Sequence, residues 1–126
     1  MKAVQVVKPN DLRIIDMEKP VIDEKNNVLV KIAASGICGS DVGIYLGTNA
    51  AATYPRVIGH EIVGYVVEVG ESAKKVKVGD RVIIDQVVPC GHCYACRKGR
   101  PNVCGDLHVR GVHIDGGYRE YMAIPD

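Results

Sequence analysis

Four cysteines fall within fifteen positions, in the spacing C-x2-C-x2-C-x7-C. They are Cys90, Cys93, Cys96 and Cys104. Thiols separated by two residues can converge on one point from a tight loop, and Zn²⁺ with four thiolates prefers a closed tetrahedron. The spacing therefore predicts a zinc-binding lobe over about residues 88–106. Because protein would fill every coordination position, such a zinc is structural and the chemistry must lie elsewhere.

Two other uses of these cysteines, as disulfides or as a redox C-x-x-C pair, fit the sequence less well. The chain begins Met-Lys-Ala-Val-Gln-Val-Val, without a long apolar stretch or a small-residue cleavage site, so we expect a cytoplasmic protein with reduced thiols. A thioredoxin-like motif uses a single pair beside a βαβ unit, whereas here the pairs overlap and a fourth cysteine follows. Structural zinc is the favoured prediction.

A second group of possible ligands precedes the lobe: Cys38, which is the one remaining cysteine, and the pair His60 and Glu61. Thiolate and imidazole are both good zinc ligands, and a catalytic zinc keeps three protein ligands and one open position. Adjacent residues of a strand point to opposite faces, so His60 and Glu61 reach one metal only if the backbone bends, which Gly59 and Gly64 would permit. Considered alone, a single cysteine and a single histidine are more often core residues than ligands.

The segments that must position these ligands are mostly β-strands. Short runs of β-branched residues lie beside turn signals, and fourteen glycines, six prolines and no Phe or Trp indicate a core of Val and Ile with tight turns. A barrel and a sandwich are both consistent with this pattern. A short helix is predicted over residues 40–46, with Ser40 as its N-cap. The predicted strands are residues 3–7, 12–15, 28–34, 62–69 and 81–84.

Length and charge restrict the class of protein further. At 126 residues the chain is one domain of ordinary size that buries about two thirds of its unfolded surface, so the lobe is an appendage to a real core. Sixteen Lys and Arg against fifteen Asp and Glu leave a formal charge of +1, which gives no electrostatic footprint for nucleic acid or a membrane surface. No apolar run approaches the ~18 residues that span a bilayer. We expect neither a nucleic-acid partner nor a membrane partner.

Four motifs follow one another along the chain: Gly36-Ile37-Cys38-Gly39-Ser40-Asp41, Gly59-His60-Glu61-Ile62-Val63-Gly64 with Gly70 and Ala73 after it, Val78-Gly79-Asp80-Arg81-Val82, and the four-cysteine lobe. Together they resemble the zinc-type alcohol dehydrogenases of the medium-chain dehydrogenase/reductase family. The resemblance covers nearly the whole chain, which makes it far more specific than any one motif. Residues 54–58 and 111–117 are most similar to the polyol and sugar-acid branch, which includes the sorbitol, threonine and hexonate dehydrogenases.

This resemblance implies a fold and a set of site residues. Residues 1–126 would be the N-terminal catalytic domain, a mainly β, GroES-like barrel with a few short helices and the zinc lobe. Cys38 and His60 would ligate a catalytic zinc, with Glu61 as a direct, exchangeable or water-mediated ligand. Ser40 would receive the proton of the substrate hydroxyl and pass it on, and Asp41 would hydrogen-bond the far nitrogen of His60. The chain has no second spare cysteine, unlike the Cys₂His zinc of alcohol dehydrogenase, so an acidic residue from later in a longer chain could contribute.

The resemblance also implies a nicotinamide cofactor. Zn²⁺ has no redox chemistry of its own, so the hydride of the alcohol would pass to NAD or NADP. A dinucleotide site needs G-x-G-x-x-G at the start of a helix, and these residues contain no such motif. We therefore expect a Rossmann domain outside this chain, and an isolated domain that binds zinc but cannot oxidise alcohols. The parent enzyme would act on a small-molecule alcohol as a homo-oligomer, a dimer or a tetramer.

Two hypotheses that assign the chain to other classes of protein stay open. One is a zinc-ribbon module whose lobe binds nucleic acid or a partner protein, and the other is a co-chaperonin-like structural protein, since the implied barrel is shared with GroES. Neither gives a role to Cys38. Two smaller alternatives concern single side chains: Arg56 would meet a carboxylate if the substrate is a sugar acid or form a surface salt bridge, and His92 would join the lobe or remain an exposed turn residue.

Overall fold

The computed structural model describes all 126 residues of the chain, which form nine β-strands, two short α-helices and one 3₁₀ turn at Pro101–Val103. No helix is both long enough and apolar enough to cross a membrane. The helices are α1 (Gly39–Leu46) and α2 (Tyr94–Arg97). The strands are β1 (Lys2–Lys8), β2 (Asp11–Asp16), β3 (Val28–Gly36), β4 (Arg56–Val57), β5 (Glu61–Val69), β6 (Arg81–Ile84), β7 (Val87–Val88), β8 (His108–Val109) and β9 (Tyr121–Ile124).

These strands form three antiparallel sheets. In the first, β1 lies between β2 and β4, and in the second the order is β6-β5-β3-β9. The segment that leads into β9 joins these two sheets, because the Tyr118 carbonyl accepts a hydrogen bond from Val4 N–H at 2.7 Å just before Tyr121 pairs with Lys31. β7 and β8 pair only with each other, one before and one after the four cysteines. The lobe is therefore closed at its base by its own small sheet.

Two clusters of buried apolar side chains hold the sheets together. β5 contributes one of its two faces to the first cluster: Ile62 and Val66 on that face are buried, while Val63 and Tyr65 on the opposite face are exposed. The second cluster packs α1 against the segment that leads into β5. It thereby fixes the relative position of Cys38, which directly precedes α1, and His60, which directly precedes β5. The first cluster is Val28, Val30, Ile62, Val66, Ile84 and Met122, and the second is Val6, Ile44, Ile58 and Val112.

The structure confirms the mainly β prediction and corrects one detail. All five predicted strands are present, each within two residues of the predicted bounds, and the predicted helix begins one residue earlier, at Gly39. Ser40 as N-cap was wrong: Cys38 is the N-cap, with an extended backbone at φ −91° and ψ 152°, and Ser40 lies inside the first turn. The sequence did not indicate β4, β7, β8 and β9: the first three have only two residues, too few to show a pattern, and β9 contains a single β-branched residue, Ile124.

Candidate metal centres

The four cysteines of the lobe form one ligand cluster. Their sulfur atoms all lie within 4.8 Å of one another, and Cys93 Sγ is 3.8 Å from Cys104 Sγ. A tetrahedron with Zn–S bonds of ~2.3 Å has sulfur–sulfur edges of about 3.8 Å, so the observed spacing fits one zinc among four thiolates. A disulfide needs sulfur atoms at ~2.05 Å, and all five cysteines of the chain are free.

Backbone N–H groups surround these sulfur atoms. Cys93 N–H donates to Cys90 Sγ at 3.3 Å, and the N–H groups of Cys90 and Asp106 donate to Cys104 Sγ at 3.3 and 3.4 Å. Hydrogen bonding, first of all from the backbone of Cys96, lowers the pKa of Cys93 to about 6, whereas desolvation and the neighbouring Cys93 sulfur raise the pKa of Cys96 to about 12. The backbone donors therefore favour the thiolate, which is the form that binds zinc, at Cys93, while desolvation disfavours it at Cys96.

Cys38, His60 and Glu61 form a second cluster, with ligand atoms that also lie within 4.8 Å of one another. Cys38 directly precedes α1, and β5 begins at Glu61. The bend that the sequence required is at Gly59, whose φ of +92° turns the chain just before β5 so that His60 and Glu61 face the same point. Gly64 has a different role, because it lies within β5 where a Cβ would overlap the backbone of β3.

The imidazole of His60 lies between two polar side chains. It is 11% exposed, and its Nε2 is 3.2 Å from Ser40 Oγ. Its Nδ1 is 3.4 Å from Asp41 Oδ1 but has no partner in hydrogen-bond geometry, so the structure shows a close contact where the sequence led us to expect a hydrogen bond. Hydrogen bonding from Ser40, through its side chain first and then its backbone, lowers the pKa of Cys38. The cluster thus combines a thiol that favours ionisation with an oriented imidazole.

The Asp41 carboxylate is turned instead towards backbone donors on both sides of the cluster. It is 3% exposed. Its Oδ2 accepts a hydrogen bond from Cys38 N–H at 3.0 Å, and its Oδ1 accepts one from Gly59 N–H at 3.2 Å. One buried carboxylate therefore ties together the residue that carries the thiol and the residue that bends the chain in front of His60, and this explains why it does not align with the imidazole.

Tyr118 is a site residue that the sequence analysis missed. Its hydroxyl lies 3.1 Å from Asp41 Oδ2 and 3.0 Å from the Gly36 carbonyl oxygen. Burial, followed by the negative charge of Asp41, raises the pKa of Tyr118 well above its usual value, so the hydroxyl remains a donor. The aromatic ring also occupies the space next to Gly59, where a Cβ would overlap it. Tyr118 is 77 positions from Asp41 in the chain, so no motif spacing in the sequence linked it to the site.

Two members of the second cluster, His60 and Glu61, line a cleft, whereas the groove on the lobe is lined by residues other than its cysteines. The cleft has a volume of about 460 Å³ and includes His60 and the exposed Glu61. A cluster with three possible ligands at the side of a cleft leaves room for a further small molecule, which is the arrangement of a catalytic metal site. The lining residues are Ala34, Gly36, His60, Glu61, Ile62, Val63, Ile83, Ile84 and Gln86.

The structure decides between the alternatives for Arg56 and His92: Arg56 forms a salt bridge, and His92 is an exposed turn residue. The Arg56 guanidinium pairs with Asp115 at 2.9 Å, so it is not free to meet the carboxylate of a sugar acid. The ring of His92 is exposed, and its Nδ1 lies 2.9 Å from the Cys90 carbonyl oxygen while the four thiols form the cluster without it.

The chain thus carries a cluster of four thiols and a cluster of three further possible metal ligands on a mainly β scaffold. The model of the family described as "Alcohol dehydrogenase GroES-like domain" matches residues 24–126 of the chain. The chain belongs to this family, and the resemblance seen in its motifs and the GroES-like fold are thereby confirmed.

Curated relatives match almost the whole chain. The starvation-sensing protein RspB of Escherichia coli K12 is 51% identical over 125 residues, which is 99% of this chain and 37% of RspB. A zinc-type alcohol dehydrogenase-like protein of Haemophilus influenzae is 49% identical over 126 residues, covering 99% of this chain and 36% of that protein. L-Galactonate-5-dehydrogenase of Escherichia coli K12 is 40% identical over 94% of this chain and 34% of its own length. The chain spans little more than a third of each.

Solved structures share the fold. RspB from Escherichia coli CFT073, an alcohol dehydrogenase crystallised with the cofactor NADH, superposes with a TM-score of 0.88 at 51% identity and covers 99% of this chain and 36% of its own. Galactitol-1-phosphate dehydrogenase from Escherichia coli has a TM-score of 0.90 at 35% identity, over 99% of this chain and 36% of its own. A zinc-binding dehydrogenase from Sinorhizobium meliloti, with a TM-score of 0.80 at 36% identity over 98% and 36% of the two chains, was solved with NADP.

Proposed function

We propose that residues 1–126 are the catalytic domain of a zinc-dependent dehydrogenase that oxidises a secondary alcohol, with NAD or NADP as the hydride acceptor. The observation that carries this proposal is the convergence of Cys38, His60 and Glu61 within 4.8 Å beside an open cleft. A bound Zn²⁺ would supply Lewis-acid charge that lowers the pKa of an alcohol hydroxyl. The four cysteines of the lobe would hold the structural zinc.

The residues around the open cluster would prepare the site for an alcohol. Cys38 and His60 would hold the metal, and Glu61, exposed to the cleft, would be a direct, exchangeable or water-mediated ligand. Asp41 keeps both ligand segments in place through the N–H groups of Cys38 and Gly59. In metal sites, carboxylates that hydrogen-bond around the ligands commonly fix the orientation of those ligands.

Ser40 would carry the proton. Its Oγ lies 3.2 Å from His60 Nε2, next to the ligand cluster. A hydroxyl both donates and accepts, so Ser40 would take the proton of the substrate hydroxyl at Oγ while releasing its own towards solvent. This role requires only that the alcohol oxygen lie within hydrogen-bond reach of Oγ.

The substrate class rests on the relatives. Their names specify L-galactonate, L-threonine, D-arabinitol and galactitol 1-phosphate, which are small molecules with several polar groups. We propose a polyol, a sugar acid or a related secondary alcohol for this protein. Because zinc binding needs reduced thiols, we also propose a cytoplasmic location.

The nucleotide site would lie in a separate Rossmann domain, because these residues contain no G-x-G-x-x-G. The isolated 126-residue chain would then bind zinc at both clusters without oxidising alcohols, and the parent enzyme would be a homo-oligomer with neither a nucleic-acid nor a membrane partner. Exposed Tyr94 and Val103 in the lobe are apolar surface that association would cover.

The test compares two chains. A longer chain that contains these residues should reduce NAD or NADP with a polyol or sugar acid, measured by absorbance, and His60→Ala should abolish the reaction. The purified 126-residue chain should show no turnover with either cofactor. Turnover by the short chain would contradict the need for a separate nucleotide domain, and full activity of His60→Ala would contradict the metal site. A zinc-ribbon or co-chaperonin role predicts no effect of His60 at all.

A further inference from the structure

Gly36 and Glu61 lie directly opposite each other at the end of the ladder between β3 and β5. They are Cα partners in this antiparallel pair, and β3 ends at the first while β5 begins at the second. Side chains of opposite residues project from the same face of a sheet and normally contact each other. Because Gly36 has no side chain, the space in front of it is open to the side chain of its partner.

The side chain of Glu61 occupies this space. A Cβ built on Gly36 would overlap Glu61 Oε2, and it would lie 3.1 Å from Glu61 Cβ and 3.3 Å from Glu61 Cδ. The three nearest atoms therefore all belong to one side chain, which folds back across the end of β3. In this position a carboxylate oxygen of Glu61 lies within 4.8 Å of the ligand atoms of Cys38 and His60.

The protein offers the Glu61 carboxylate no ion pair that would hold it in this position. Two backbone donors of the site, the N–H groups of Cys38 and Gly59, donate to Asp41 instead. Ordering a long glutamate side chain costs conformational entropy, so an exposed and unpaired carboxylate favours extended positions in water. The open space at Gly36 is therefore the feature of the fold that permits the carboxylate to lie at the cluster.

We propose that Gly36 is a positioning residue of the metal site formed by Cys38, His60 and Glu61, because its lack of a side chain lets the Glu61 carboxylate reach the metal. This inference rests on the proposed function, in which Glu61 contributes to the zinc site. The φ of Gly36 is not positive, so the backbone accepts alanine without strain. An alanine Cβ would exclude Oε2 from its place, and the flexible end of the glutamate would turn away from the cluster.

The test is a double-mutant cycle on the affinity of this site for zinc, measured by competition with a chromophoric chelator. Gly36→Ala and Glu61→Gln should each weaken binding about 10-fold or more, as is usual when a group that orders a metal site is lost. The double variant should bind as weakly as Glu61→Gln alone, because Gly36 acts only through that carboxylate. Gly39→Ala is the matched control: its φ is not positive either, a Cβ there has no atom within 4 Å, and it should bind like the wild type.

Cobalt gives a second readout, which a general loss of stability would not produce. With zinc held in the four-cysteine lobe and Co²⁺ in the second site, the visible absorption bands depend on the number and type of cobalt ligands. Gly36→Ala and Glu61→Gln should therefore give the same altered spectrum, while Gly39→Ala keeps the spectrum of the wild type. The lobe should release its zinc at the same chelator concentration in every variant.

Equal zinc affinity in the wild type and in Gly36→Ala would overturn the proposal and leave the metal site intact. So would a loss from Gly36→Ala that is the same with and without the Glu61 carboxylate. Failure of Gly36→Ala to fold would also overturn it, because only the flexible end of the glutamate should move. A single zinc ion in the wild-type chain would instead contradict the proposed function itself, and the positioning role with it.

Discussion

Replacing Asp41 by Asn tests whether one buried carboxylate organises the open metal site. The change keeps the shape of the side chain and removes its charge. In the structure the two carboxylate oxygens serve different donors, Cys38 N–H at 3.0 Å and Gly59 N–H at 3.2 Å. An amide has only one acceptor oxygen, so one of these two N–H groups would face an NH₂ group.

The expected loss follows from these contacts. An unpaired buried donor costs about 1–3 kcal/mol, and the remaining bond loses about 1 kcal/mol when its acceptor is no longer charged. We therefore expect Asp41→Asn to lower the free energy of unfolding by about 2–4 kcal/mol. Because the displaced segments carry Cys38 and His60, the affinity of the open site for zinc should fall about 10- to 100-fold, the usual effect of losing a group that supports metal ligands.

The assay combines chemical denaturation with zinc retention during titration by a chelator. Tyr118→Phe is the matched control, because it removes one hydroxyl contact to the same carboxylate and leaves both backbone N–H bonds in place, at a cost of about 1 kcal/mol. The four-cysteine site should release its zinc at the same chelator concentration in all three proteins. If Asp41→Asn has wild-type stability and wild-type zinc retention, the reasoning is refuted.

Two further predictions concern the bend and the lobe. Gly59→Ala should destabilise the chain by more than Gly79→Ala in thermal unfolding. Both glycines have φ above +90°, so either alanine would introduce a backbone strain of about 1–3 kcal/mol, but only at Gly59 would the Cβ also overlap the ring of Tyr118. Equal losses of stability would show that the ring moves aside freely. In the metal-free protein at neutral pH, an alkylating reagent should modify Cys93 well before Cys96, as followed by mass spectrometry. A pKa of about 6 leaves Cys93 mostly as the reactive thiolate, whereas a pKa of about 12 keeps Cys96 protonated. The reverse order of modification would contradict the hydrogen-bonding pattern around the two sulfur atoms.

The lobe could be predicted from the sequence because its geometry is local. All four cysteines lie within fifteen positions, and a loop of that length can bring them together with few contributions from the rest of the fold. The five predicted strands were equally accessible, since each contains several β-branched residues and lies beside a turn signal. Barrel and sandwich could not be separated, because an alternating pattern reports one buried face and not how sheets close.

The open cluster depends on contacts that spacing does not encode. Cys38 and His60 are 22 positions apart, and only the motifs shared with a known family suggested that they meet. Tyr118 is 77 positions from Asp41, so nothing local marked its hydroxyl as part of the site. Ser40 was the better N-cap by intrinsic preference, yet the Asp41 carboxylate accepts the Cys38 N–H and places the N-cap two residues earlier in the chain, at Cys38.

The count of zinc per chain tests the central claim most directly. Elemental analysis of the purified 126-residue chain, loaded with zinc and freed of loose metal, should give two zinc ions for the wild type and one for Cys38→Ala. Cys96→Ala is the reciprocal control and should lose the zinc of the lobe instead. The account would be contradicted by the same zinc content in the wild type and in Cys38→Ala.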